Sequence, residues 1–259
     1  MTAHQPFRVV ARLAAGIAHT YPWSISLDGL LAAQLWQLAK PGPGPDHTPA
    51  LDADYPPDLD LPLARCTPTT QPDAWHWAAT CGYPDPVPDR PDIHTWTGTL
   101  DHRAMEQLTS ALPKVISTRQ GRYRPRHMPL PVLLCATITW TAVGDPHATE
   151  ELLHTITGIG KKRSHGEGHV LDWTVTPADD LDPFSAGHLT PAGTLGRPCP
   201  PDCLTLHPAI AHGGAGLIGI RPPVMHPSRR HHALLPAPLT PPELSVLAGS
   251  VPESPPVAG

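Results

Sequence analysis

The residues with the clearest chemical potential form one glycine-rich, basic segment, residues 158–168, hereafter the glycine loop. Three consecutive cations, Lys161, Lys162 and Arg163, lie between glycines. Glycine tolerates positive φ and lets the backbone approach a ligand, while the cations neutralise an anion. The pattern therefore predicts a phosphate cradle that needs no catalytic side chain. Its other glycine and polar positions are Gly158, Gly160, Ser164, His165, Gly166 and Gly168.

The spacing within the glycine loop excludes two common nucleotide-binding motifs. A P-loop requires Gly, four spacers and Gly-Lys-Ser/Thr, and a dinucleotide fingerprint requires Gly-x-Gly-x-x-Gly after a strand. Neither pattern occurs here. Apolar residues at helical spacing predict a helix over 149–156, and β-branched and aromatic residues predict a strand over 169–175. The glycine loop should therefore connect a helix to a strand.

Residues 156–170 resemble the glycine-rich loop of the RAMP superfamily of CRISPR proteins. The amino-acid sequence of this segment is most similar to that of the Cas-five-like subunit of type IV effector complexes. Residues 7–13 resemble the first strand of that family, and residues 27–32 resemble the start of its first helix. Two short segments, 121–124 and 221–223, resemble further motifs of the same subunit, in the expected order along most of the chain.

The resemblance implies RNA binding rather than catalysis. Such a subunit caps the repeat-derived 5′ handle of a CRISPR RNA (crRNA) and contacts the backbone-forming RAMP subunit and other effector subunits. Target DNA would be reached indirectly, through the complex. We expect no catalytic residue and no cofactor. Beside the glycine loop, the implied RNA contacts are Arg122, Tyr123, Arg124 and Arg221.

Two alternatives stay open. A repeat-cleaving endoribonuclease of the same superfamily would need a general base and acid near the scissile phosphate, and His165 is the candidate. No second acid or base lies at a telling spacing from it. A protein-interaction module would instead dock the glycine loop on an acidic partner surface. Around Tyr123, the alternative to RNA contact is a tyrosine in the core with the neighbouring arginines in water.

The charge distribution is compatible with an RNA partner although the formal net charge is −5. Ten acids and two cations occur over 46–101, whereas no acid occurs over 107–144. Phosphate binding depends on a local basic patch, so an acidic chain can still hold a strand in one groove. The candidate basic stretches are 114–126, 161–163 and 229–232. The alternative is that these stretches are solvated faces.

The pattern of apolar residues predicts an α+β fold, and the resemblance implies a ferredoxin-like RAMP domain with a proline-rich, irregular second half. Alternation over 6–15 predicts a strand, and the stripe over 27–38 predicts a helix. A β-branched run over 132–143 predicts one central strand. The expected organisation is a RAMP domain over 1–176 with a proline-rich insertion around 40–72, an irregular β-rich part over 177–235 and a flexible tail over 236–259.

The cysteines offer one weak metal pattern. The chain has five, an odd number that favours reduced thiols. Cys199 and Cys203, followed by His207, have a spacing compatible with zinc. Because no second Cys-x-x-Cys pair exists, we interpret Cys199 and Cys203 as incidental loop cysteines and expect no bound metal.

The sequence also bears on location. No apolar run approaches the roughly 20 residues needed to cross a bilayer, and no basic-then-apolar leader begins the chain. We therefore expect a cytoplasmic protein without membrane contact.

Overall fold

The computed structural model describes residues 4–19, 23–39, 56–98, 107, 117, 119 and 124–239. These residues form an α+β fold with antiparallel sheets and few helices, as the sequence predicts. Parts of the predictions fall outside the described residues: Arg122, Tyr123, residues 40–55 of the expected insertion and residues 240–259 of the expected tail.

The elements are numbered in chain order. The helices are α1 (Leu27–Ala39), α2 (Pro146–Leu153) and α3 (Pro183–His188). The strands are β1 (Gln5–Leu13), β2 (Ile17–Ala18), β3 (Arg65–Cys66), β4 (His76–Trp77), β5 (Tyr83–Asp85), β6 (Asp92–Gly98), β7 (Arg126–Leu133), β8 (Thr137–Gly144), β9 (Val170–Pro177), β10 (Ala215–Gly219) and β11 (Arg230–Leu234).

The main sheet has four strands in the order β5-β8-β1-β9. β1 is central and antiparallel to both neighbours, so that Val9 lies opposite Trp140 of β8 and Val175 of β9. Along the chain the unit reads β1-α1-β5-β8-α2-β9. The glycine loop is the connection from α2 to β9, which confirms the predicted helix, loop and strand order.

The core lies on one face of this sheet. Phe7, Val9 and Ala11 of β1 are fully buried because alternate side chains of a strand point to the same face. Leu31 of α1 and Leu153 of α2 belong to the same apolar cluster. Both helices therefore pack on this face. The same apolar cluster also positions the two ends of the glycine loop.

The predicted helix over 149–156 begins and ends three residues earlier, as α2. Asp145 caps it, since its carboxylate accepts hydrogen bonds from the backbone N–H groups of His147 and Ala148. Pro146 follows at the first helical position, where a missing N–H costs nothing. Across the part of the chain that is described, the helices are too short or too polar to traverse a bilayer.

The predicted single strand over 132–143 is wrong. The chain breaks between β7 and β8, and the two strands belong to different sheets. Pro129 and Pro131 cannot donate to a ladder, and β2 pairs with β7 only at Val132 and Leu133. The chain enters the main sheet just before β8, where the N–H of Ala136 donates to the carbonyl oxygen of Asp85 in β5.

Arg197 joins the second half of the chain to α1 and to the residues around β4. Its guanidinium is 2% exposed and donates to the carbonyl oxygens of Trp77, Ala79 and Ile220. The carboxylate of Asp28, at the start of α1, lies 3.6 Å from the guanidinium. This buried ion pair fixes the position of the residues that follow β9 relative to α1.

Candidate functional site

The glycine loop is closed at its base by backbone contacts. Gly158 forms an antiparallel bridge with His169, and the N–H of Ile159 donates to the Gly168 carbonyl over 2.9 Å. The Ile159 side chain is 1% exposed and packs in the core of the main sheet. The loop is therefore anchored at both ends, while the residues at its tip remain at the surface.

The loop also docks on the segment that follows β1. The Lys161 N–H donates to the Ala18 carbonyl over 2.7 Å, and the Gly168 N–H donates to the Gly16 carbonyl over 3.0 Å. Gly160 and Gly168 have φ values of 80° and 66°. A side chain at either position would collide with a backbone carbonyl oxygen, that of Ala18 or of Ile159. These two glycines allow the close approach that fixes the loop.

The three predicted cations of the glycine loop point in different directions. Lys161 and Arg163 are exposed and line a large cavity. Lys162 adopts a left-handed φ of 58°, and its Nζ lies 3.2 Å from the centre of the Trp96 ring on β6. Lys162 therefore attaches the loop to β6, and the cation pair available to a ligand is Lys161 and Arg163.

His165 is engaged through both ring nitrogens. The indole N–H of Trp96 donates to its Nε2 over 2.9 Å, so Nε2 is an acceptor. Its Nδ1 lies 3.1 Å from the Ser164 hydroxyl oxygen. In this arrangement His165 stabilises the loop tip, and neither of its nitrogens is directed at a ligand. Both His165 nitrogens and the Ser164 hydroxyl thus have partners within the protein, and their contact with RNA stays a prediction.

A second contact joins the loop to β6. His94 Nδ1 lies 2.7 Å from a carboxylate oxygen of Glu167, and His94 Nε2 lies 3.4 Å from Asp92. The hydrogen bond with Glu167 is the largest cause that raises the pKa of His94 above its ordinary value. The loop tip is thus held by an aromatic contact on one side and an acid–histidine pair on the other.

The cavity beside the glycine loop has a volume of about 1100 Å³. Its walls come from the loop, from α1 and the segment before it, and from the region of β10. Trp23 and Trp36 are half-buried on the α1 side. The exposed apolar side chains of Leu217 and Met225 also line the cavity. The aromatic, cationic and exposed apolar residues that line the cavity include Trp23, Trp36, Lys161, Arg163, Leu217 and Met225.

The two carboxylates in the cavity wall are both neutralised by arginines. Asp28 pairs with Arg197 at 3.6 Å. Asp58 lies 2.7 Å from Arg229 and 3.7 Å from Arg221. These acids face buried cations, and Lys161 and Arg163 form no ion pair with another described residue. The two cations therefore add positive charge to the cavity, which favours an anionic ligand.

Arg221 is not a surface RNA contact, contrary to the expectation from resemblance. It is 7% exposed, and its guanidinium donates to the Asp73 and Trp75 carbonyl oxygens, each over 2.9 Å. Burial is the largest cause that lowers its pKa. The side chain holds the segment before β4 in place. Arg124, by contrast, is exposed and keeps its predicted accessibility.

A second site lies among the elements outside the main sheet. Cys66, His76, His188 and Cys203, hereafter the Cys/His cluster, each direct one ligand atom to a common point, and these atoms lie within 4.8 Å of one another. The sulfur atoms are 4.0 Å apart, and the two Nε2 atoms are 3.1 Å apart. The histidines are buried and the cysteines are half-buried.

The residues of this cluster differ from the zinc ligands that the sequence spacing suggests. Cys203 is a member, but Cys199 and His207 are not. Cys199 is fully buried beside Leu195 and Leu204, and the His207 ring stacks on Phe184 with centroids 4.0 Å apart. Only the four cluster residues converge as potential metal ligands among the described part of the chain.

Contacts between neighbouring thiols, together with burial, shift the pKa values of three cluster residues. The neighbouring Cys199 thiol is the main cause that raises the pKa of Cys203 to about 12, with burial adding to it. The contact with Cys203, and then burial, raises the pKa of Cys66. Burial and the charge of Arg197 lower the pKa of His76 well below its usual value. Without a metal, the shifted pKa values therefore favour uncharged thiols at Cys66 and Cys203 and an uncharged imidazole at His76.

Sequence spacing could not identify the Cys/His cluster. Its members come from β3, β4, the last residue of α3 and the turn over 201–204, so no two of them fall within a short motif. Trp23 and Trp36 were also missed as cavity residues, because an isolated tryptophan near a helix indicates core packing as readily as a surface site.

Comparison with known proteins does not assign this chain to a family. Neither the models of known protein families nor the curated protein sequences match the chain.

Proposed function

We propose that this chain binds RNA as the crRNA-holding subunit of a type IV CRISPR effector complex, with the repeat-derived 5′ handle in the cavity beside the glycine loop. The observation that carries the proposal is that Lys161 and Arg163 line the same cavity as Trp23 and Trp36. Single-stranded RNA is held by cations along its phosphates and by aromatic rings that stack on unpaired bases. Both kinds of group line this one cavity.

The connectivity of the main sheet supports the RAMP part of the proposal. Its β-α-β-β-α-β connectivity with the strand order β5-β8-β1-β9 is the arrangement that a ferredoxin-like domain would have. Within it, the glycine loop connects the second helix to the last strand, as in the family segment that residues 156–170 resemble. Contacts with the backbone-forming RAMP subunit, and through the complex with target DNA, belong to the same proposal.

The contacts of His165 favour holding over cutting. A general base needs an unoccupied nitrogen within reach of the proton that it removes. Nε2 of His165 accepts from Trp96, and Nδ1 lies against Ser164. The endoribonuclease alternative would require this pair of contacts to break first, so we assign His165 a role in the shape of the loop.

Salt-dependent RNA binding tests the proposal. Fluorescence anisotropy of a labelled repeat-derived RNA would be measured over a series of salt concentrations. Each phosphate contact to single-stranded RNA contributes about 0.7 to the slope of log K against log salt concentration. Arg163→Ala should therefore weaken binding and reduce the slope by about 0.7, because the exposed guanidinium is lost from the cavity.

Arg8→Ala is the matched control. Arg8 is a partly exposed arginine in the first half of β1 that does not line the cavity, and it pairs with Asp180 at 3.1 Å. It should leave both affinity and slope unchanged. Equal effects of the two substitutions, or no RNA binding by the wild-type protein, would refute the proposal. Cleavage of the repeat RNA by the protein alone would favour the endoribonuclease alternative.

A further inference from the structure

The Cys/His cluster has the dimensions of a tetrahedral metal site. Zinc binds thiolate sulfur at about 2.3 Å and imidazole nitrogen at about 2.0–2.1 Å, so tetrahedral edges are about 3.8 Å between sulfurs and about 3.3 Å between nitrogens. The corresponding separations here are 4.0 Å from Cys66 to Cys203 and 3.1 Å from His76 to His188. All four ligand atoms lie within 4.8 Å of one another.

The orientation of His188 suits metal binding. Its Nδ1 lies 3.0 Å from the Phe184 carbonyl oxygen, one turn earlier in α3. A carbonyl can only accept, so Nδ1 carries the proton and Nε2 directs a lone pair into the cluster. The Phe184 ring stacks on His188 with centroids 4.7 Å apart and fixes the plane of the imidazole. Metal-bound histidines are oriented by contacts of this kind.

A cluster without metal would leave these groups poorly compensated. The thiol pair at 4.0 Å provides at most a weak hydrogen bond, and one Nε2 must donate to the other across 3.1 Å. Buried polar groups are normally paired. A cation at the shared point would instead engage all four side chains at once.

We propose that Cys66, His76, His188 and Cys203 bind one zinc ion in a closed structural site. Two thiolates and two imidazoles in a tetrahedral arrangement are typical of zinc, and four protein ligands leave no open position for substrate. The ion would join the β3–β4 hairpin to α3 and to the turn over 201–204. This site is independent of the proposed RNA cavity.

Metal analysis with matched substitutions tests the site. The full chain would be purified under reducing conditions without added metal, and zinc would be measured by inductively coupled plasma mass spectrometry. The wild type should contain one zinc per chain. Cys203→Ser and His188→Gln should lose it, while Cys199→Ser and His207→Gln should keep it, because these neighbours lie outside the cluster.

A spectroscopic measurement on the wild type keeps the test valid if a ligand substitution prevents folding. Refilling the chelator-treated protein with Co²⁺ should give intense visible bands of a tetrahedral site together with thiolate-to-cobalt charge transfer. Metal well below one equivalent, octahedral cobalt spectra or a Cys66–Cys203 disulfide in the reduced preparation would each overturn the zinc site. Equal metal loss from Cys199→Ser and Cys203→Ser would overturn the ligand assignment.

Discussion

The glycine loop and the Cys/His cluster differ in how their side chains are brought together. The loop is one continuous segment, residues 158–168, and its exposed cations are positioned by backbone hydrogen bonds at its base. The cluster collects side chains from residue 66 to residue 203, and its two histidines are buried. The first site depends on local backbone conformation, and the second depends on the packing of distant elements.

This difference predicts where each region is sensitive to change. Substitutions at glycines that contact neighbouring carbonyls should disturb the loop, whereas loss of an exposed cation should alter ligand binding and leave stability intact. The cluster should behave in the opposite way, since each ligand holds together segments that are far apart in the chain. Five measurements can test this contrast.

The largest expected effect follows metal removal. If free zinc exceeds its dissociation constant about 1,000-fold, its binding stabilises the fold by about 4 kcal/mol. For a chain of this size, each kcal/mol corresponds to about 2–4 °C. A strong chelator should therefore lower Tm by about 8–16 °C, and re-added zinc should restore it. Differential scanning calorimetry measures this shift.

Hydrogen exchange locates the effect of the chelator. Amides of β3, β4 and α3 should exchange faster in the chelated protein, whereas the amides of Ile159 and Gly168 at the base of the glycine loop should keep their protection. The same increase in both regions would contradict the independence of the two sites. An unchanged Tm would contradict the structural role of the metal.

Gly168→Ala should have the next largest effect. A Cβ at this position would collide with the Ile159 carbonyl oxygen, and φ is 66°. The strained backbone and the collision should together cost about 3 kcal/mol of unfolding free energy. Gly166→Ala is the control, because φ is 89° there but no atom lies within 4 Å of the added Cβ. It should cost about 1–2 kcal/mol. Urea unfolding of both variants compares the two costs.

The local parts of the fold could be predicted from the sequence. β1 and α1 match the predicted strand over 6–15 and helix over 27–38 to within about two residues, because their periodicity is carried by consecutive side chains. The same holds for the order of helix, glycine loop and strand. What failed was the single strand over 132–143, because its break depends on β2 and the main sheet as partners.

The candidate sites, like the fold, could be predicted only where neighbouring residues in the sequence carry the pattern. The glycine loop was visible because its residues are adjacent, yet the contact of Lys162 with Trp96 depends on β6, which no spacing within the loop could indicate. The burial of Arg221 depends on carbonyl groups of Asp73 and Trp75, nearly 150 residues earlier. For the Cys/His cluster, the ligand set exists only after folding.

Trp36→Ala should weaken RNA binding without a large loss of stability. Tryptophan stacking on one base contributes about 1–3 kcal/mol, which corresponds to a factor of about 5 to 150 in Kd. Leu38→Ala is the control on the same helix, because Leu38 is 63% exposed and does not line the cavity. Anisotropy titrations at one salt concentration compare the two variants. Equal affinity of Trp36→Ala and wild type would remove the stacking role.

The smallest expected effect concerns the contact between His94 and Glu167 at the loop tip. The hydrogen bond that His94 donates to Glu167 raises the pKa of His94, so the charged pair forms fully below the unfolded value of about 6.5. Its contribution to stability is lost as pH rises through the elevated folded pKa.

Glu167→Gln should lower the pKa of His94 in an NMR titration, while Glu151→Gln, on the exposed surface of α2, should not. Asp92 remains in the variant and sustains part of the shift. An unchanged His94 pKa in Glu167→Gln would mean that β6 and the glycine loop are joined at the tip by Trp96 alone, through its contacts with Lys162 and His165.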